Sequence, residues 1–475
     1  MDKKVDVVII GAGSAGLSAL RQIKKNTDNY LIIDHGPLGT KCARIGCMPS
    51  KALINVAKDF HRREVFAKEG ILGADNLSVD IPLILEHVRQ LRDYFSNEMV
   101  KTTRKLAGNN LVIGHAEILT ENKVRAGEME IKTDKIIIAT GSRPVMPGPW
   151  KQFASRIFTS DDIFEAKDLP NKMAVIGLGA IGLELGQALS RLGIEITGFT
   201  TKPSVADIAA AEISRQALKI FKKEFPIYTD AFASLEQKDD KLLIKHPETE
   251  LTVDAALVAV GVEPNIEGLG LENLGLKLDK RPLPFFNYRT SKINDMPIFI
   301  AGDVNGARPI LHEALDEGFI AGRNSGADTA DCYCRRTPFT LVFSDPQIAA
   351  VGLNSRELVE KEIDFVTGKA DFTEQSRSIV ESKNKGLMYI YAEKVSAKII
   401  GAELLCPEAE HLSHELAIAI GNDLTVFDML NMPFYHPTVE EALRTALKDA
   451  AQNFPDKSQL EGLTLCESTT EAPLS

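Results

Sequence analysis

A chain of 475 residues exceeds what one hydrophobic core usually supports and leaves room for about three domains. Its 44% hydrophobic and 25% charged residues fit a soluble globular protein and exclude wholesale disorder and a fibrous architecture. A net charge of −11 lacks the basic footprint that nucleic acid demands, and no apolar run approaches membrane-spanning length, so neither nucleic acid nor a membrane is an expected partner.

The chain begins Met1-Asp2-Lys3-Lys4 and enters an apolar stretch over residues 5–10 that is too short for a signal h-region and has no small-residue cleavage pattern, so a cytoplasmic location is expected. Gly11-Ala12-Gly13-Ser14-Ala15-Gly16 follows that predicted strand and opens a predicted helix over 15–25. In this setting one glycine makes a tight turn, one lets backbone approach a pyrophosphate, and one lets helix pack on strand. The helix N-terminus adds positive potential for the phosphates. A second predicted strand, 30–33, ends at Asp34, where a carboxylate can accept hydrogen bonds from ribose hydroxyls.

Six cysteines are too few for a structural disulfide framework in a chain of this kind, so a close pair points to redox, catalytic or metal chemistry. Cys42 and Cys47 open a run to Phe60 that otherwise reads as helix. Residues five apart in a regular helix have Cα atoms about 8–9 Å apart, beyond the roughly 7 Å a disulfide tolerates. A bond therefore requires distorted helix. Gly46, by its conformational freedom, and Pro49, by removing a donor and kinking the turn, are expected to permit it. The reduced sulfurs would sit near a helix N-terminus, which favours thiolate. Two inert buried cysteines, or half of a zinc site, are the alternatives. Cys332-Tyr333-Cys334 has the wrong spacing for a second zinc half and reads as exposed thiols, so no metal is expected.

Residues 135–139 read as a buried strand closing in Thr140-Gly141-Ser142-Arg143-Pro144, an abrupt crossover loop. The glycine motif then recurs as Gly177-Leu178-Gly179-Ala180-Ile181-Gly182, between a strand at 173–176 and a helical run at 183–192. Asp34 and Thr200 lie at equal distance from the third glycines, so the registers match but the acid does not. Thr200, Thr201 and Lys202 offer hydroxyls and one positive charge, which permits NADP as well as NAD. A short strand at 298–301 ends in Gly302-Asp303, by itself an ordinary turn. His436, in Tyr435-His436-Pro437-Thr438-Val439-Glu440-Glu441, is the histidine whose tautomer a nearby carboxylate can fix, as disulfide interchange requires of a proton donor.

Together these residues resemble the class I pyridine nucleotide-disulfide oxidoreductases, and most closely their dihydrolipoamide dehydrogenase branch, to about residue 452. The resemblance rests on the first glycine motif with Asp34, Cys42-x4-Cys47-Met-Pro-Ser-Lys51, Ala139-Thr-Gly-Ser-Arg-Pro, Gly177-x-Gly-x-x-Gly-x-Glu184, Ala301-Gly-Asp303, Phe343-Ser-Asp-Pro-Gln-Ile-Ala-Ala-Val-Gly352 and His436-Pro-Thr-x-x-Glu441, in that order. It implies an α/β fold of two Rossmann-like dinucleotide-binding domains plus an α+β interface domain that makes a homodimer. The expected divisions are 1–149 (FAD), 150–268 (NAD or NADP), 269–336 (central, second FAD segment), 337–453 (interface) and a mobile tail, 454–475, in which Cys466 is incidental.

By that resemblance Cys42 is the interchange thiol and Cys47 the flavin-facing thiol. Lys51 and Glu184 pair beside the flavin, Asp303 holds its ribityl chain, and His436, oriented by Glu441, serves the partner's disulfide. Gly11, Gly13, Ser14, Gly16, Asp34, Lys51, Ala139, Thr140, Gly141, Gly302 and His312 are the remaining expected FAD contacts. Gly177, Gly179, Gly182, Thr200, Thr201, Lys202 and Gly261 are those for the nicotinamide. His312 and Pro49-Ser50-Lys51 point to lipoamide rather than glutathione as substrate type.

The departures are Gly39-Thr40-Lys41-Cys42 in place of Gly-Gly-Thr-Cys, Ala43-Arg44-Ile45-Gly46 in place of Leu-Asn-Val-Gly, and no arginine after Gly261. Lys41 and Arg44 are expected to lower the thiol pKa or to favour an acidic disulfide. Three rival readings stand beside this one: a glutathione reductase-like enzyme, a single-cysteine flavin oxidase or peroxidase, and a member that has lost turnover and acts by binding. The paired cysteines and the His-Glu motif speak against the oxidase.

Overall fold

In the computed structural model, residues 3–280 and 282–455 are described, so most of the expected tail, with Cys466, lies outside the described residues. Strand β1 (Lys3–Ile10), helix α1 (Ser14–Ile23) and β2 (Tyr30–Asp34) form the first strand–turn–helix unit. Both strands are buried almost throughout, which fits their unbroken apolar runs and their parallel pairing. Helices α2 (Lys41–Arg44) and α3 (Cys47–His61) follow, then the long α4 (Ile81–Ala107), whose N-cap Asp80 accepts the Leu83 N–H at 3.0 Å.

Strands β3 (Leu111–Ile113), β4 (Ala116–Thr120), β5 (Lys123–Ala126) and β6 (Met129–Ile138) complete a sheet of order β3-β2-β1-β6-β5-β4. Strand β6 is twice the length expected from 135–139. Its first residues, 129–132, pair antiparallel with β5, and nearly its whole length, from Ile131 to Ile138, pairs parallel with β1.

Strands β7 (Ser142–Pro144) and β8 (Ile157–Phe158) lead into the second lobe. There β9 (Lys172–Ile176), helix α5 (Ala180–Arg191) and β10 (Glu195–Phe199) repeat the unit, and α6 (Ala211–Phe221) follows. With β11 (Ile227–Tyr228) and β15 (Ala255–Val258), reached through the antiparallel meander β12 (Ser234–Lys238), β13 (Lys241–His246) and β14 (Thr249–Val253), they make a parallel sheet of order β11-β10-β9-β15-β8. The chain returns through β16 (Val262–Pro264), antiparallel to β7, and β17 (Ile298–Ile300) rejoins the first sheet beside β6.

Helix α7 (Leu311–Ser325) packs against α1 at very short range. A Cβ on Gly318 would stand 2.2 Å from the Ala15 carbonyl oxygen, and one on Gly322 2.5 Å from that of Ala19. Only glycine allows this approach.

The C-terminal layer is an antiparallel sheet, β18-β19-β22-β21-β20, built from β18 (Phe339–Val342), β19 (Gln347–Gly352), β20 (Phe365–Asp371), β21 (Leu387–Glu393) and β22 (Ile399–Cys406). Its core is shared with α8 (Ala409–Gly421) and α9 (Glu441–Ala451). Among the described residues no helix is long and apolar enough to cross a membrane. Replacing Gly318 by valine should force α1 and α7 apart and cost about 1–3 kcal/mol. Thermal denaturation of Gly318→Val should show a clearly lowered midpoint; a wild-type midpoint would refute the close-approach argument.

Candidate active site

The two glycine motifs do the same three jobs in the same order. Gly11 (φ +108°) and Gly177 (φ +94°) sit where a Cβ would lie 2.2 Å from the Ala139 oxygen and 2.4 Å from the Ala259 oxygen. Gly16 and Gly182 are pressed against the carbonyls of Gly11 and Gly177, at 1.9 and 1.8 Å from a would-be Cβ. Gly13 and Gly179 have nothing within 4 Å on that side, which leaves open space at the N-termini of α1 and α5. Open backbone at a helix N-terminus is the cradle a pyrophosphate needs. Both cradles open into one cavity of about 2530 Å³, well above the roughly 300–1,000 Å³ of an ordinary small-ligand cleft. The residues present fit two dinucleotides.

Asp34 ends β2, and each of its carboxylate oxygens already accepts a backbone N–H at 2.7 Å, from Ala12 and from Gly36. A second lone pair on each oxygen stays free for ribose hydroxyls. Ala139, Thr140 and Gly141 line the same cavity with Ser14, Gly302, Asp303, His312 and Gly261. The crossover loop is laced to β16: Thr140 Oγ1 donates to the Asn265 carbonyl at 2.7 Å, and Asn265 Nδ2 donates to the Thr140 carbonyl at 3.0 Å. Asp303 accepts from Ser142 Oγ at 2.9 Å.

At the second cradle, Thr200 is buried and its Oγ1 accepts the Lys202 N–H at 3.2 Å, while Thr201 is exposed. The Lys202 ammonium is not free for a phosphate, because it lies 2.7 Å from the Asp207 carboxylate. Ala206 and Asp207 adopt left-handed backbone, and the Ala206 N–H bonds the Leu178 carbonyl of the glycine loop, which holds Asp207 at the cavity.

The thiols stand where the chain breaks. The expected single distorted helix is two helices, separated by Ile45 and Gly46 in non-helical backbone. Cys42 is thus the second residue of α2 and Cys47 the first of α3. Gly46 makes the break, and a Cβ there would be 3.4 Å from the Cys42 Cα. Pro49 does not kink anything: it is the third residue of α3, where a missing N–H breaks no helical bond. Thr40 caps α2 by accepting the Ala43 N–H at 3.3 Å, at φ +60°, a region costly for a residue with a side chain.

Neither cysteine is bonded, and the two sulfurs share one hydrogen bond. Donation to Cys47 keeps the Cys42 proton in place and pushes its pKa far up. The same bond brings Cys47 down to about 7, with further help from the Lys51 charge and against the cost of burial.

Lys51 is the cation that acts on the thiols. Its ammonium lies 2.9 Å from Glu184 Oε2 and 4.4 Å from the centre of the Phe343 ring, and Glu184 Oε1 accepts the Phe343 N–H at 2.8 Å. Lys41 and Arg44, expected to tune the thiols, line the same cavity, but neither is among the charges that chiefly move the thiol pKa values. Lys41 Nζ donates to the Ser142 carbonyl at 3.0 Å and lies 3.9 Å from Asp161, whose carboxyl burial pushes up against the pull of both cations.

His436 and Glu441 are joined but do not line the cavity that holds the thiols. The His436 Nδ1 is 3.0 Å from both Glu441 oxygens, and that bond holds the Glu441 carboxyl below its ordinary range. Glu441 begins α9, where the helix N-terminus also favours its charge. His436 is left exposed, with Nε2 facing away. Cys332 and Cys334 are exposed, outside the cavity. Sequence reasoning overlooked Phe343 as a contact of Lys51, Asp207 as the partner of Lys202, and Glu317 with Arg335. Only Glu317 left a trace in the sequence: an acid beside the glycine of a Gly318-x-x-x-Gly322 helix face.

Two dinucleotide cradles that open on a pair of free thiols define a flavin- and nicotinamide-dependent disulfide oxidoreductase. The model of the pyridine nucleotide-disulphide oxidoreductases matches residues 5–318, and that of their dimerisation domain residues 338–447. The human mitochondrial dihydrolipoyl dehydrogenase is 30% identical, over 93% of this chain and 89% of that protein. Dihydrolipoyl dehydrogenase 3 of Haloarcula marismortui is 29% identical, over 95% and 97%. Among solved structures, the Cu(II) complex of the HOCl-induced flavoprotein disulfide reductase RclA from Escherichia coli shares the fold at a TM-score of 0.82, with 21% identity over 94% of this chain and 99% of that one. LpdA from Mycobacterium tuberculosis gives the same TM-score at 22% identity, over 94% and 99%. The chain belongs to the pyridine nucleotide-disulfide oxidoreductase family, uses FAD and a nicotinamide nucleotide, and forms a homodimer through its C-terminal domain.

Lys51 supplies charge to the Cys47 thiolate, so Lys51→Met should raise the Cys47 pKa from about 7. Ultraviolet titration of the thiolate in the reduced protein should show the transition moving to higher pH in Lys51→Met and remaining in place in Lys51→Arg. Identical curves for all three proteins would refute the assignment.

Proposed function

We propose that this enzyme is dihydrolipoamide dehydrogenase-like, exchanging electrons between a nicotinamide and a lipoyl-type dithiol/disulfide, free or carrier-bound. The observation that carries this is the pair of free, half-buried thiols, Cys42 and Cys47, set on either side of a helix break inside the cavity that joins both nucleotide cradles. The relatives named dihydrolipoyl dehydrogenase, matched over nearly their whole length, support the substrate class. Sheet membership supports divisions near 149, 268 and 336, since β7 and β16 pair at the passage between lobes.

Bound FAD supplies the two-electron exchange between nicotinamide and thiols. Gly13 and Gly179 admit the two pyrophosphates, Asp34 takes the ribose hydroxyls, and Asp303 holds the ribityl chain. In the direction of disulfide reduction, Cys42 attacks a substrate sulfur as the substrate S–S bond breaks. The leaving thiolate takes a proton from His436 Nε2. Cys47, as thiolate, then attacks Cys42, closing the internal disulfide and releasing the second sulfur as a thiolate that takes its proton from solvent, so substrate gains two electrons and the cysteines lose two. Dithiol oxidation reverses each step.

Cys42 holds its proton tightly, so it needs a base to attack. His436 has the chemistry but lies outside its own chain's cavity, and serves the partner subunit of the dimer.

Steady-state assays crossing NADH and NADPH with lipoamide and glutathione disulfide test the reading. Lipoamide should be the better substrate, and preference for glutathione disulfide would overturn it. Cys42→Ser should abolish turnover, and His436→Gln should reduce it by about 10²–10⁴-fold; full activity in either variant contradicts the roles given. NADH should outperform NADPH because Asp207 neutralises Lys202 and would meet the 2′-phosphate. Asp207→Asn should improve kcat/KM for NADPH about tenfold, a gain of one unpaired cation, while leaving NADH nearly unchanged. No gain with NADPH would remove Asp207 from the specificity argument.

A further inference from the structure

The mechanism gives no task to the buried acids Glu313, Glu317 and Glu403, and of these it is Glu317 that lies under the turn carrying Asp303. Glu317, on α7, is 1% exposed. Its Oε2 accepts the Gly302 N–H and the Asn305 Nδ2–H, both at 2.7 Å, and its Oε1 faces an Arg335 guanidinium nitrogen at 3.3 Å. Gly302 is the first residue of the turn that carries Asp303. It stands at φ +80°, and a Cβ there would lie 2.9 Å from the Ala15 side chain. Asp303 is braced on its other side by Ser142 Oγ at 2.9 Å. The close approach of α7 to α1 through Gly318 and Gly322 delivers Glu317 to the underside of this turn.

We propose that Glu317 is a positioning residue for the flavin: its carboxylate, clamped by Arg335, holds the Gly302–Asn305 turn in the shape that presents Asp303 to the ribityl chain. This rests on the assignment of Asp303 made above. Arg335 is itself fixed, by Glu313 at 2.5 Å, by the Tyr288 carbonyl at 3.2 Å and by the Tyr288 ring at 4.1 Å. It belongs to the segment entering the C-terminal layer, so the clamp ties flavin binding to the seating of that layer.

The charged groups around Glu317 are Arg335, Glu313 and Arg308 beyond it, the Tyr288 hydroxyl, and Asp303 in the turn. Every group that touches the carboxylate is a donor, so only its ionised form satisfies all three contacts. Burial lifts its pKa to about 7, which puts protonation within the working range. As pH falls through 7 the carboxyl gains a proton, the charge that pairs with Arg335 is lost, and the neutral Oε2 holds the Gly302 and Asn305 donors more weakly. The sign differs from that of overall stability. An acid with a raised pKa in the fold makes unfolding easier as pH rises through that range, whereas its hold on the turn strengthens.

The test is FAD affinity of the apoprotein, read by flavin fluorescence between about pH 6 and pH 8, for wild type, Glu317→Gln and Arg335→Met. Wild-type affinity should fall up to tenfold toward pH 6. Glu317→Gln should bind about tenfold more weakly at pH 8 and show no pH slope. Arg335→Met touches no atom of the turn, and should move the wild-type slope to higher pH because it removes the charge that keeps Glu317 ionised. It therefore reports even where Glu317→Gln fails to fold. Wild-type affinity and slope in both variants would overturn the proposal, as would weaker binding with an unchanged slope, which marks a structural role alone. A wild-type apoprotein that takes up no FAD at any pH would instead defeat the flavin reading on which it rests.

Discussion

Two thiols brought together across a break in the helix are the constraint around which the molecule is arranged. A single helix through residues 42–61 would hold Cys42 and Cys47 too far apart to bond. Ile45 and Gly46 break it, and the break creates two helix N-termini, each carrying a cysteine in its first turn. Helix starts favour thiolate, but two thiolates at hydrogen-bonding distance would repel. The stable compromise keeps Cys42 protonated and Cys47 available as the anion beside Lys51. An asymmetric pair of this kind is prepared for two different jobs.

The asymmetry needs fixed neighbours, and these come from three regions of the chain. Lys51 is on α3, Glu184 on α5 of the second lobe, and the Phe343 N–H that completes Glu184 is at the end of β18. Further from the thiols, Arg191 of α5 bonds both Glu224 and Asp345, at 2.8 Å each. Each junction is a buried or half-buried charge whose partners lie on different units. Removing one partner would strand the other without water. The polar contacts therefore fix how the lobes meet, while apolar burial within each lobe supplies most of the folding energy.

Local chemistry made much of this readable in the sequence. The glycine motifs could be read because only glycine tolerates backbone at 2 Å from a would-be Cβ, and they fall between an apolar strand and a helix. The need for a break near Gly46 followed from helical rise alone. Pro49 misled because the proline rule depends on position: in a first turn it costs nothing, and the true helix start was invisible without knowing where the chain broke. Lys41, as a tuner of the thiol pKa, misled for a different reason. Closeness in sequence suggested closeness to the thiols, whereas Lys41 turns toward Ser142 and Asp161, residues more than a hundred positions away. Lys51 with Glu184 was reached through resemblance, but Arg335 with Glu317 and Lys202 with Asp207 join residues that no periodicity or spacing connects.

The two copies of the nucleotide unit show how one local pattern yields two kinds of site. Their glycines are superimposable in role, down to the distances at which a side chain would collide. They diverge at the end of the second strand. Asp34 binds the N–H of Ala12 within the first glycine loop and that of Gly36 beyond the strand, so the loop is braced before any ligand arrives. The Thr200 side chain reaches only the N–H two residues on, and the second glycine loop is steadied by backbone bonds alone, from Gly177 to Phe199 and from Ala206 to Leu178. A braced loop pays its ordering entropy on folding, which suits a group held through every turnover. At the second loop fewer side-chain bonds to the backbone meet that cost in advance, so more of the ordering is left to the nucleotide that binds there.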